Sequence, residues 1–222
     1  MRKNEVELIE YSPSLERANC LTHAAGAVFA LVCLVLSLVK TVPSGSFRVI
    51  ACAAVYCAAF LAVYTISAVY HGLPKGRAKI KARRFDHIAI PLLLAGTATP
   101  CSMVSLFRVS RAHAYAVFAI AWSIALLGVI SKLFFFGNNK LKAVSMAAYF
   151  TGGAAMMLIA VPLLGEINRE AFLILTAGCL LYCAGALCCL IGTKKPVFHP
   201  VFHVFVLLGS AVQFYVLYTR VF

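Results

Sequence analysis

Charge is what this chain has least of. Only 12% of its 222 residues are Asp, Glu, Lys or Arg, where a soluble domain carries about a quarter. Acidic side chains are the scarcest, seven in all, and Asp86 is the single one between Glu16 and Glu166. A composition 63% hydrophobic with so little charge excludes an ordinary soluble domain. Also missing is the pattern of a cleavable leader. Residues 1–17 mix Glu5, Glu7, Glu10 and Glu16 with Arg2, Lys3 and Arg17, so the first apolar run is expected to stay as a helix. There is no internal repeat and no CxxC pair, and no loop carries a disulfide framework. The nine cysteines fall mostly inside apolar runs, where they read as small packing residues.

What the chain has in abundance is unbroken apolar sequence. Seven stretches hold no Asp, Glu, Lys or Arg: 18–39, 49–74, 87–107, 112–131, 143–165, 171–193 and 196–219. Each is long enough to cross a bilayer, which takes about 20 helical residues. Their continuity excludes the alternating pattern of a membrane barrel, leaving helices as the structure that satisfies its own backbone in lipid. The expectation is an all-α integral membrane protein, a seven-transmembrane helix bundle. A cytoplasmic segment over 1–17 precedes a single membrane domain over 18–222.

A net charge of +13 suggests nucleic acid until its placement is read. With the N-terminus in the cytoplasm, fourteen Lys and Arg fall inside: Arg2, Lys3, Arg17, Lys75, Arg77, Lys79, Lys81, Arg83, Arg84, Lys132, Lys140, Lys142, Lys194 and Lys195. Six fall outside: Lys40, Arg48, Arg108, Arg111, Arg169 and Arg220. The excess is therefore a topology signal, N-terminus in and C-terminus out, with membrane lipids rather than nucleic acid as partners. The basic stretch from Lys75 to Arg84 reads as a solvated loop facing anionic lipid.

With that topology, the rare polar residues gather at one depth. Glu16, Asn19 and His23 share a face at the cytoplasmic start of the first span, and Ser67 and His71 share one at the end of the second. Asp86 and His87 open the third span, and "HPVFH" (His199 to His203) opens the seventh. Ionisable groups are costly in a membrane, so they pair with one another or line a wet cavity. Histidines one helical turn apart can grip one metal ion. Pro200 between them is tolerated in the first turn, which places the helix start between Pro196 and Pro200. His71 offers a third nitrogen, and three histidines with an open position describe a catalytic zinc site. Asp86 is then the candidate base and Ser67 the candidate oxyanion donor. His23 reads as a hydrogen-bonding neighbour, Glu16 and Asn19 as capping or basic-loop partners. His87 and His113 read as structural or interfacial. The plain alternative for the histidines is packing.

The motifs "ExxNxxTH", "SxxYH", "FDHIAIxxxxAGTATP" and "HxxxHxFVLLGS" together resemble the hemolysin III family. That family belongs with the progestin and adipoQ receptors, including the adiponectin receptors, and more distantly with alkaline ceramidases. The resemblance runs from Glu16 to about Phe214. It implies seven helices with a cytoplasmic N-terminus and a zinc ion held by His71, His199 and His203. The acid of the third helix falls on Asp86 and the serine of the second on Ser67. Some relatives are similar to lipid amidases acting on ceramide-type substrates, and pore formation is usually attached to the bacterial branch. Ala98 stands where the family has tyrosine in "AGTYTP", Gln213 where it often has histidine, and Pro200 interrupts the HxxxH pair. Three functions remain open: a zinc-dependent hydrolase of a lipid amide or ester, a pore-forming cytolysin, and a receptor-like regulator with structural zinc. The expected location is a bacterial cytoplasmic membrane.

Overall fold

A computed structural model describes residues 11–138, 140–141, 144–145, 147–152 and 169–222. Among them there is no strand. Helix α1 spans Pro13–Thr41, α2 Phe47–Gly72 and α3 Arg77–Pro100. Helix α3 runs on through a π-helical stretch, Cys101–Leu106, to a last turn at Phe107–Val109. Helix α4 spans Arg111–Phe134, α5 Arg169–Gly192 and α6 Phe198–Val216. These six are long and apolar enough to cross a membrane. Of the fifth expected span, 143–165, residues 144–145 and 147–152 are helical and the remainder lies outside the described residues.

The local chemistry explains the boundaries. Ser12 caps α1 by accepting from the Leu15 amide, with Pro13 at the first helical position, where its missing amide hydrogen costs nothing. Gly76, at φ 154°, makes the turn into α3 in a conformation that side chains rarely adopt. Pro100 removes an amide donor and crowds the preceding turn, and the helix relaxes into π geometry directly after it. Pro200 falls in the first turn of α6, as expected.

One boundary differs from the sequence reading. The third helix begins at Arg77, about ten residues before the charge-free run, so 77–84 is helix and not loop. Its charged first turns lie at the end of the bundle, where Lys79 turns inward and is only 3% exposed.

Neighbouring helices pack in chain order: α1 on α2, α2 on α3, α3 on α4, and α5 on α6. The contact of α1 with α6 brings the seventh expected span beside the first. Small residues allow the close approaches. A Cβ at Gly26 of α1 would collide with the ring of Tyr64, so α1 crosses α2 over that ring. Tyr56, Phe60 and Tyr64 of α2 form the centre of the core, with Ala30, Cys33 and Phe214 against them. This packing brings the starts of α1, α3 and α6 to the end of α2.

Candidate metal centre

Three histidines converge at that junction. His71 is in the last turn of α2, while His199 and His203 occupy the first two turns of α6. Each offers a ring nitrogen, and the three atoms lie within 4.8 Å of one another. The ring centroids stand 5.2 Å apart for His71 with either partner and 4.6 Å for His199 with His203. His71 and His203 are buried and His199 is partly so. The neutral imidazole is the form of histidine that binds metals.

Hydrogen bonds decide which nitrogen each ring offers. Nδ1 of His71 stands 2.7 Å from Oε2 of Glu16, an acceptor, so Nδ1 carries the hydrogen. Its Nε2 therefore keeps a lone pair, and that buried atom has no hydrogen-bond partner. For His203, Nδ1 lies 3.2 Å from Oγ1 of Thr22. The Thr22 hydroxyl itself donates toward the carbonyls of Ala18 and Asn19, both at 2.9 Å, so its oxygen accepts from the ring. Again Nε2 is left as the lone pair. Three imidazoles, two with tautomers set by helix α1, suit a borderline-soft divalent ion such as zinc. The residues present fit the group.

Glu16 carries a second interaction. Its Oε1 lies 2.9 Å from Nζ of Lys79. That ammonium also donates to the carbonyls of Tyr70, His71 and Leu73, at 3.1, 3.3 and 3.0 Å, which end α2. Nothing in the spacing of the sequence marked Lys79. It looked like one of six basic residues in a solvated loop.

Around these groups the other polar residues divide. Ser67, one turn before His71, stands near the Asp86 carboxylate across α2 and α3. Asp86 is not among the mutually close donor atoms. The ring of His23 packs 3.8 Å, centroid to centroid, from His203 but stays outside the donor group. Both His23 nitrogens and both amide atoms of the wholly buried Asn19 lack protein partners. His87 packs on Phe136, and His113 bonds the Ser110 cap of α4. Gln213 reaches Cys179 at 3.5 Å, far along α6 from the histidines. Tyr11 covers the cluster from the N-terminal side, 5.1 Å from the His199 ring, and burial raises its phenol above the usual range. A cavity of about 600 Å³ reaches His71 and Glu16 between Arg17, Leu21 and Leu73.

Most of the chain is similar to known proteins. The family described as haemolysin-III related matches residues 11–214. "Hemolysin-3" of Bacillus cereus is 31% identical over 200 residues, covering 90% of this chain and 89% of that protein. "Hemolysin-3 homolog" of Bacillus subtilis (strain 168) is 30% identical over 200 residues, covering 90% and 91%. The chain belongs to the haemolysin-III related family, and its helices are those of a membrane protein.

Proposed function

We propose that this protein is a zinc-dependent hydrolase of a lipid amide or ester, working at the cytoplasmic face of a bacterial inner membrane. On this reading the bundle has seven spans, with the N-terminus inside. The observation that carries the proposal is the trio His71, His199 and His203, whose donor nitrogens lie within 4.8 Å of one another at the helix ends. Zinc bound there would acidify a water and polarise a carbonyl.

The remaining chemistry belongs to the chain. Asp86 takes up the proton released as the nucleophile attacks, and later returns it to the leaving amine or alkoxide. Ser67, near that carboxylate on the facing helix, would hold it through its hydroxyl hydrogen. Once Asp86 is protonated, the hydroxyl is free to turn to the substrate oxyanion. The cavity beside His71 and Glu16 admits a polar headgroup, while Leu21, 68% exposed, leaves an apolar flank for the acyl chain. The relatives named hemolysins would, on this account, damage membranes by turning over lipid.

The test is a turnover assay. Purified protein in vesicles is incubated with N-acyl and O-acyl lipids, and free fatty acid is followed by mass spectrometry. Release by the zinc-loaded wild type and none by Asp86→Asn supports the reading. A protein that holds zinc but releases no fatty acid from either class overturns it in favour of a structural metal.

A further inference from the structure

We propose that Glu16 and Lys79 are positioning residues for the metal centre, acting through His71 to set its affinity for the ion. The inference rests on the zinc reading above and adds two residues and a mechanism to it.

The last turn of a helix is its weakest part, because its final carbonyls have no partners within the helix. His71 is the penultimate residue of α2, so its ring hangs from a turn that would otherwise fray. Lys79 removes that freedom. Its ammonium gathers the carbonyls of Tyr70, His71 and Leu73, three groups on either side of the ligand's own Cα. A cation is the favoured occupant of a helix C-terminus, and here it is almost wholly out of solvent.

Such a buried charge needs an anion, and Glu16 supplies it at 2.9 Å. The other oxygen of the same carboxylate accepts the Nδ1 hydrogen of His71 at 2.7 Å. One carboxylate thus joins three elements: α1, which bears it, α2 through the ring, and α3 through Lys79. The backbone and the ring of His71 are both fixed by the pair, the first by the ammonium and the second by the carboxylate. The unpartnered Nε2 is thereby aimed at the other two histidines before any ion arrives. A carboxylate behind an imidazole also makes the ring a better electron donor to the metal.

The structural alternative is that Glu16 and Lys79 merely join helices. The two roles differ in what they move. A positioning pair changes the metal's Kd and electronic spectrum, while a simple brace changes the melting temperature of the metal-free protein and leaves both of those untouched.

The experiment uses full-length protein in detergent, with Glu16→Gln, Lys79→Met and the double variant. Zinc Kd is read by chelator competition, the Co²⁺ absorption spectrum reports ligand geometry, and Tm is taken without metal. Glu16→Gln keeps shape and an acceptor oxygen but removes the charge, so it should fold. We expect zinc binding about 10- to 100-fold weaker in each single variant. The double variant should be no worse than the weaker single, since the two act as one unit. A shifted Co²⁺ band in Glu16→Gln is the matching spectral result, whatever Tm that variant loses by leaving the Lys79 ammonium without its anion. Wild-type Kd and spectrum in Glu16→Gln would overturn the inference, as would additive losses in the double variant. Should Lys79→Met fail to fold, Glu16→Gln alone decides. A wild type that binds no zinc instead removes the metal reading itself, and one that binds zinc without turnover leaves this inference standing.

Discussion

Oγ1 of Thr22 on α1 lies 3.2 Å from Nδ1 of His203 on α6. This contact joins the first membrane helix to the one that carries two of the three candidate ligands. It determines the tautomer of His203, because the threonine's own hydrogen is spent on its helix backbone. Thr22→Val keeps the shape and removes the acceptor. The expected outcome is zinc binding weaker by about tenfold with the helical content retained. Isothermal titration against a zinc buffer, with circular dichroism beside it, checks both parts.

Asp86→Asn is expected to separate binding from chemistry. The amide matches the carboxylate in size and still meets Ser67, but it cannot accept the proton. Fatty-acid release should fall by roughly 10²–10⁴-fold while zinc content stays at the wild-type level. Single-turnover assays paired with elemental analysis of the same sample give both values. Zinc loss in Asp86→Asn would move Asp86 from base to ligand.

Gly26→Ala tests the packing that supports the site. The added carbon would meet the ring of Tyr64, which is fully buried and bonded through its hydroxyl to Ser210 at 2.9 Å. The ring has no room to retreat, so α1 must shift. A loss of about 1–3 kcal/mol is expected, read as a lower melting temperature in detergent.

Pro200→Ala is expected to be close to silent. The proline stands in the first turn of α6, where its missing amide hydrogen would have had no helical acceptor. Stability should change by no more than about 0.5 kcal/mol, and zinc content should not change. A large effect on either would mean that Pro200 holds His199 and His203 in register.

Much of this was legible in the sequence. Long charge-free runs announce the helices, and Lys and Arg placement assigns Glu16, Ser67, His71, Asp86 and the HxxxH pair to one depth. His199 and His203 could be read from spacing alone, since residues one turn apart share a face. Ser67 with Asp86 was legible as two polar groups at the same level of adjacent helices. Lys79 was not. Its burial comes from the end of α2 and from Glu16 meeting it in space, and a run of basic residues looks the same whether one of them turns inward or none does. For Glu16 the face and a partner in the basic stretch were evident, but which lysine, and the bond to His71, were not, because periodicity gives direction around a helix and not the neighbour across the gap.

The most direct test of the central claim is zinc per chain, by elemental analysis of protein purified in detergent without chelators, for wild type and His199→Ala/His203→Ala. The account predicts about one zinc in the wild type and almost none in the double variant. Equal and negligible zinc in both would contradict it and leave the histidine cluster as packing between α2 and α6.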